Sequence, residues 1–176
     1  MSIKTLSKKM LAIVAAGAMT MGLAMPTSVF AAEGDTATKV TEAYISKTYN
    51  TEVGKAEKFS FTATQNTEGT GLVKTAALVT IPDISFTTAQ TGTTKQRAKV
   101  KFPTYSEAGE YEYTVKETQG NDKGMTYSTK EYCLRVYVAN NTDKSTYIKS
   151  ITVVDTETGE KPDKLSFKNT YEKNGG

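Results

Sequence analysis

The chain has 176 residues and a formal charge of +3, with 22 basic and 19 acidic side chains, no histidine and one cysteine. A single cysteine excludes an intrachain disulfide, and the lack of histidine removes the commonest metal ligand and general base, so no metal and no cofactor is expected. Because basic and acidic side chains are nearly equal in number and form no basic cluster, nucleic acid is not expected as a partner.

Residues 1–31 have the three parts of a secretory signal peptide. A positive start with three lysines is followed by an apolar stretch rich in Ala and Met, and cleavage is expected after about Ala31. The alternative is a retained membrane anchor, but the apolar run is short for a full span of roughly 20 residues. Since the three lysines account for the whole positive excess, we expect a secreted chain that is neutral after cleavage.

The rest of the chain is predicted to be a single all-β domain at residues 41–171, between a flexible lead-in at 32–40 and a linker or truncated end at 172–176. Its segments are rich in Thr, Val, Tyr and Phe, and turn-forming residues separate them. Strands are predicted at residues 41–49, 57–65, 72–81, 83–87, 96–102, 110–117, 130–139, 147–155 and 163–171. Many short strands joined by polar turns predict a β-sandwich.

Three of these strands carry one polar side chain in phase with their apolar face, because alternate residues of a strand point the same way. Lys47 lies on the apolar face of AYISKTY, Glu117 closes that of YEYTVKE, and Asn169 interrupts that of LSFKNTY. Taken singly, each has an ordinary explanation: a solvated lysine, a strand-end carboxylate, or an amide that caps a strand or turn. Burying all three separately would be unfavourable, so we expect them to contact one another.

Together the three groups predict a reaction. Burial favours the neutral, nucleophilic form of a lysine and the protonated form of a carboxyl group. The acid is then able to donate a hydrogen bond to the carboxamide oxygen of Asn169 and to relay protons to the departing ammonia. The expected product is an intramolecular Lys–Asn isopeptide bond. Groups held in contact by a fold react with effective molarities on the order of 10⁵ M or more.

The same residues carry a family resemblance. YEYTVKET, a strand of the type YCLRVYVAN and LSFKNTY occur in this order, and with them the chain resembles the isopeptide-forming domain of Gram-positive pilins. The similarity is greatest to the N-terminal domain of the streptococcal-type major pilin and runs from about Tyr44 to Tyr171. It implies an immunoglobulin-like, collagen-adhesin B-type β-sandwich.

By the same resemblance, the lysine of the first strand bonds to the asparagine of the last strand, and the glutamate catalyses the step. Carried over by position, these residues are Lys47, Asn169 and Glu117. Two further lysines, Lys39 and Lys55, lie close enough in the sequence to remain alternatives to Lys47.

The resemblance also implies partners and a location. Domains of this family stack into a pilus on the cell wall, and sortase joins one subunit to a lysine of the next in a head-to-tail polymer. In GEKPDKLSF, Lys161 and Lys164 are candidates for that lysine, and the alternative is an exposed turn lysine with no such role. Because the chain has no LPxTG-like motif, we expect it to be part of a longer pilin or surface protein.

Two other functions compete with a structural role. A surface adhesin is the first alternative, with a host or matrix ligand bound by the Thr-rich loops at residues 66–71 and 88–95. A secreted enzyme with turnover is not expected, because the chain has no nucleophile elbow and no Gly-rich phosphate loop. Cys133 alternates with apolar neighbours, which leaves open whether it is exposed and able to dimerise or is covered.

Overall fold

The structure, a computed structural model, describes residues 41–173. The predicted signal peptide, the lead-in with Lys39 and the last three residues of the chain lie outside the described residues. Within this range all regular secondary structure is β-strand. The strands are β1 (Tyr44–Thr51), β2 (Glu57–Phe59), β3 (Phe61–Asn66), β4 (Ile84–Phe86), β5 (Gly92–Lys99), β6 (Gly109–Glu117), β7 (Met125–Thr126), β8 (Glu131–Asn140), β9 (Thr146–Asp155) and β10 (Leu165–Tyr171).

Two four-stranded sheets form the sandwich, in the orders β5-β1-β10-β7 and β3-β6-β8-β9, and β2 pairs with β4 in a small third sheet. The first and last strands, β1 and β10, are direct neighbours and run parallel, whereas the other pairs are antiparallel. A parallel pair of this kind needs a long connection, and here nearly the whole domain provides it. The predicted all-β sandwich is therefore confirmed.

The core forms where the two sheets face each other. Phe167 of β10 packs against Phe61 of β3 and against Tyr132 of β8, with ring centroids 5.2 and 5.4 Å apart. Aromatic pairs at these distances stabilise a core beyond the area that they bury. The predicted alternation holds in both sheets, since the inward positions of β6 and β10 are buried and the outward positions are more exposed.

The prediction of a strand at residues 72–81 is wrong. The segment forms only isolated bridges to Glu110 and Lys101, because no strand lies along its length. Instead, the Gln65 side chain bonds its backbone, donating to the carbonyl of Thr75 at 3.0 Å and accepting from the N–H of Ala77 at 2.8 Å. High β-propensity forms a strand only where a neighbouring strand is present.

Other strands differ from the prediction in their bounds, and one strand was not predicted. The strand expected at residues 57–65 is divided at Ser60, since its first part pairs with β4 and its second part with β6. β5 begins at Gly92, before the expected start at residue 96, so the Thr-rich loop predicted at residues 88–95 is in part a strand. The short strand β7 was not predicted, because two residues are too few to show a periodicity.

Cys133 is covered. Its side chain is 9 % exposed, it lies between Thr114 and Val154 of the neighbouring strands, and its thiol is free. Burial raises the pKa of the thiol above its usual value. Both effects reduce its reactivity. No helix long and apolar enough to span a membrane is found between residues 41 and 173.

Candidate functional site

The two central strands of the first sheet place Lys47 and Asn169 side by side. In the parallel ladder Lys47 lies opposite Phe167, and Asn169 lies opposite Tyr49. The two polar residues are therefore diagonal neighbours on the same face, a separation that long side chains can bridge. Glu117, the last residue of β6, approaches from the facing sheet.

The carboxylate of Glu117 contacts both other side chains. Its Oε2 accepts a hydrogen bond from Nζ of Lys47, and its Oε1 accepts one from Nδ2 of Asn169 at 2.7 Å. The three residues are enclosed, with exposures of 0 % for Lys47, 2 % for Glu117 and 1 % for Asn169. The structure thus brings together an amine, a carboxylate and a carboxamide in a site closed to bulk water.

Burial changes the chemistry of the amine. Desolvation lowers the pKa of Lys47 from 10.5 to about 8, although the hydrogen bond and the charge of Glu117 act in the opposite direction. The aromatic ring of Phe59 also borders the amine, with Nζ 4.0 Å from the ring centroid. A larger fraction of Lys47 is therefore in the neutral, nucleophilic form at neutral pH than of an exposed lysine.

This arrangement is unfavourable as simple core packing. Removing a lysine and a glutamate from water costs several kcal/mol per ion, and apolar side chains of the same volume often fill such a site with greater stability. Buried and perturbed titratable groups in mutual contact are more typical of functional sites. The geometry permits direct proton transfer between Lys47 and Glu117 and between Glu117 and the amide nitrogen of Asn169.

One contact differs from the expectation. Glu117 was expected to donate to the carboxamide oxygen of Asn169, but it faces the amide nitrogen, which is the leaving group. The oxygen, Oδ1, instead accepts a hydrogen bond from the backbone N–H of Ser128 at 2.9 Å. Ser128 lies in the irregular segment between β7 and β8, where no pattern in the sequence points to a role. Phe59 was also not predicted as part of the site, although its position in an apolar strand gave a signal for burial.

The other candidate lysines lie elsewhere. Lys55 forms ion pairs of 2.9 Å with both Glu57 and Asp122. Lys161 and Lys164 lie in the connection between β9 and β10, where Lys161 is exposed and Lys164 is half-buried. Within the part of the chain that the structure describes, no group of three His, Cys, Asp or Glu side chains is placed to hold a metal ion.

Residues 37–172 match a family model described as FctA, the Spy0128-like isopeptide containing domain. This range covers most of the chain and includes Lys47, Glu117 and Asn169. A search of curated protein sequences finds no match.

Several solved structures share the fold. The major pilin of Streptococcus pyogenes is 21 % identical, with a TM-score of 0.64, over 76 % of this chain and 51 % of the pilin. The T-13 major pilin of the same species is 19 % identical, with a TM-score of 0.66, over 78 % and 55 %. The T3.2 major pilin is 22 % identical, with a TM-score of 0.60, over 78 % and 54 %. The matched region thus spans about half the length of these pilins.

Proposed function

We propose, because this chain belongs to the family of Spy0128-like isopeptide containing domains, that it is a structural module of a Gram-positive pilus, closed by a self-formed bond between Lys47 and Asn169. The observation that carries the proposal is the contact of a buried amine and a buried carboxamide with one shared carboxylate, that of Glu117. The similarity to major pilins in fold supports the structural role.

The reaction exchanges one amine for another at the carboxamide carbon. Glu117 first takes a proton from Lys47, which leaves a neutral amine and a carboxylic acid. The lone pair of Nζ forms a bond to Cγ of Asn169, and the carbonyl electrons move to Oδ1. The acid then protonates Nδ2, the Cγ–Nδ2 bond breaks, and ammonia leaves. Glu117 accepts the remaining extra proton from Nζ and passes it to the ammonia, which departs as ammonium, so the carboxylate is restored.

The reaction occurs once in each molecule. Lys47 and Asn169 become a stable secondary amide, so no free nucleophile remains for a second cycle. Glu117 alone is unchanged at the end, and it acts as the proton relay. The domain is therefore a self-processing structural protein and not an enzyme with turnover.

Intact mass spectrometry of the purified chain tests the bond. We expect the folded wild-type protein to be lighter than its sequence by one ammonia, and the variants Lys47→Ala, Glu117→Ala and Asn169→Ala to keep the full mass. Lys55→Ala is the matched control, because this lysine is close in the sequence but is paired with Glu57 and Asp122. It should lose ammonia as the wild type does.

Two results would contradict the proposal. A folded wild-type chain with an unmodified mass would show that no bond forms. Ammonia loss that persists in Lys47→Ala would assign the bond to another lysine. Tandem mass spectrometry of a proteolytic digest then locates the crosslinked peptides, which we expect to contain Lys47 and Asn169.

In this proposal the module lies on the cell surface and joins other pilin subunits head to tail through sortase. Lys161 and Lys164 are the candidate acceptors. The exposed amine of Lys161 fits an enzyme-catalysed linkage better than the half-buried Lys164. An amine must reach the sortase active site to attack the bound substrate, and burial limits that access.

A further inference from the structure

The carboxamide of Asn169 has two polar contacts, and the proton relay uses only one of them. Nδ2 donates to Glu117, whereas Oδ1 accepts from the backbone N–H of Ser128 at 2.9 Å in a buried position. The Ser128 N–H determines the orientation of this amide. Turning the amide over would place its NH₂ group against an N–H donor, and this hydrogen bond would be lost whatever the protonation state of Glu117.

The segment that carries this N–H is held on both sides. Nε2 of Gln119 donates to the carbonyl oxygen of Ser128 at 2.7 Å. Just before it, β7 pairs with Thr170 and Tyr171 of β10, which are the residues directly after Asn169. Ser128 itself is 8 % exposed. The donor is thus fixed relative to the strand whose side chain it contacts.

We infer that the backbone N–H of Ser128 is the oxyanion donor of the isopeptide reaction, an inference that rests on the proposed bond between Lys47 and Asn169. When Nζ attacks Cγ, the carbonyl electrons move to Oδ1, and the negative charge develops at the atom that this N–H contacts. When the Cγ–Nδ2 bond breaks, the charge returns and the carbonyl is restored. Donors already aimed at a developing charge in a dry site lower the barrier most effectively.

The two ends of the amide thus have separate partners. Glu117, from the sheet facing β10, moves protons at the nitrogen. Ser128, from the segment after β7, stabilises charge at the oxygen. This division also explains why the carboxyl group need not contact the oxygen. A single acid that served both ends would have to move during the reaction, whereas here both groups are in place before it begins.

Replacing the Ser128 amide by an ester tests the donor without changing the shape of the backbone. Lactic acid incorporated at position 128 removes the N–H, and Ser128→Ala is the matched control, since it loses the same hydroxyl group but keeps the N–H. We expect ammonia loss after refolding to be about a hundredfold slower in the ester than in Ser128→Ala, the usual effect of removing one oxyanion donor. Circular dichroism establishes that both proteins are folded.

Equal rates in the folded ester and in Ser128→Ala would overturn the inference, provided that the wild type loses ammonia. Absence of ammonia loss in the wild type would instead refute the bond itself, so the two failures are distinguishable. Gln119→Ala is a second variant in case the ester does not fold. It removes the hydrogen bond to the Ser128 carbonyl, in the peptide unit directly after the one that carries the N–H, and so loosens the segment that positions the donor. We expect a rate several-fold lower with an unchanged pH profile. An unchanged rate, or a shifted pH midpoint, would count against the inference.

Discussion

At the scale of single residues, the site depends on the environment of Lys47. An exposed lysine is almost fully protonated at neutral pH and does not attack an amide. Burial lowers the pKa of Lys47 to about 8, and the ring of Phe59 closes one side of the amine. Its partner Glu117 is buried as well, so a proton can move between the two without entering water. In the proposed reaction the pair shares one proton, which passes from Lys47 to Glu117 and leaves a neutral amine beside a carboxylic acid.

This sharing predicts a pH dependence. Lys47 loses its proton near pH 8 because burial lowers its pKa, and above this pH Glu117 has no proton to take from the amine and pass to the leaving nitrogen. We expect the rate of ammonia loss to be nearly constant around neutral pH and to fall up to about tenfold per unit above pH 8. Unreacted chain kept in denaturant and diluted into buffers from about pH 6 to about pH 10 allows the rate to be followed by intact mass.

A rate that instead rises through pH 8 and then levels off would contradict the shared-proton form. It would mean that the carboxylate acts first as a base on a neutral amine. Glu117→Gln is the control, because it has nearly the same shape but cannot relay a proton. We expect this variant to react very slowly at every pH.

At the scale of strands, the proposed bond joins the two central strands of one sheet. Because β1 and β10 run parallel, the chain enters at one end of this pair and leaves at the other. Tension applied to the two ends of the domain would shear β1 against β10. The proposed covalent link between Lys47 and Asn169 would lie across that shear plane and resist the sliding of the two strands.

We therefore expect Asn169→Ala to be much less stable than the wild type. The bond closes a loop of about 120 residues. In the chain-entropy account of crosslinks, constraining the unfolded chain in this way adds about 4–5 kcal/mol to the free energy of unfolding. The variant also loses the hydrogen bonds of the amide to Glu117 and Ser128. Guanidinium unfolding followed by circular dichroism measures the difference.

Thr170→Ala is the matched control for this prediction. It changes the next residue of the same strand, which lies on the other face and is half-buried, and it keeps the bond. We expect Thr170→Ala to lower the free energy of unfolding by about 1 kcal/mol or less, as is usual for substitutions away from a core or a buried polar network. Equal unfolding free energies for Asn169→Ala and the wild type would argue against a stabilising role for the crosslink.

At the scale of the whole molecule, the described lysines differ in their access to solvent. Lys47 is enclosed, whereas Lys161 extends from the connection that precedes β10. The first forms the proposed bond within the domain, and the second is the better placed acceptor for a bond between subunits. A fibre built in this way would have a covalent path both within and between its modules.

The proposed covalent bond between subunits at Lys161 is testable in the bacterium that makes the protein. We expect Lys161→Arg to abolish the sortase-dependent ladder of high-mass polymers, because Arg keeps the charge but does not form the amide. Lys164→Arg is the matched control and should keep the ladder, since this side chain is half-buried. Immunoblots of cell-wall extracts measure both. A ladder that persists in Lys161→Arg would place the acceptor elsewhere.

The alternation of apolar and polar residues along the strands was sufficient to predict the all-β class and the three polar side chains that face the core. Side chains of a strand point to opposite faces in turn, so the phase of Lys47, Glu117 and Asn169 with apolar neighbours could be seen without a structure. The same pattern, with its turns, predicted the all-β sandwich. These features depend on neighbours within a few residues, and such local relations are present in the sequence itself.

Only the tertiary structure decided which groups meet. The division of residues 57–65 at Ser60 and the irregular course of residues 72–81 follow from which strands lie beside them. The N–H of Ser128 reaches Asn169, 41 positions further along the chain, because β7 pairs with β10. Hydrogen bonds between distant segments have no period in the sequence. The sequence by itself therefore determined the all-β class and the phase of Lys47, Glu117 and Asn169 with their apolar faces, and the packing of the sheets decided how these three side chains meet.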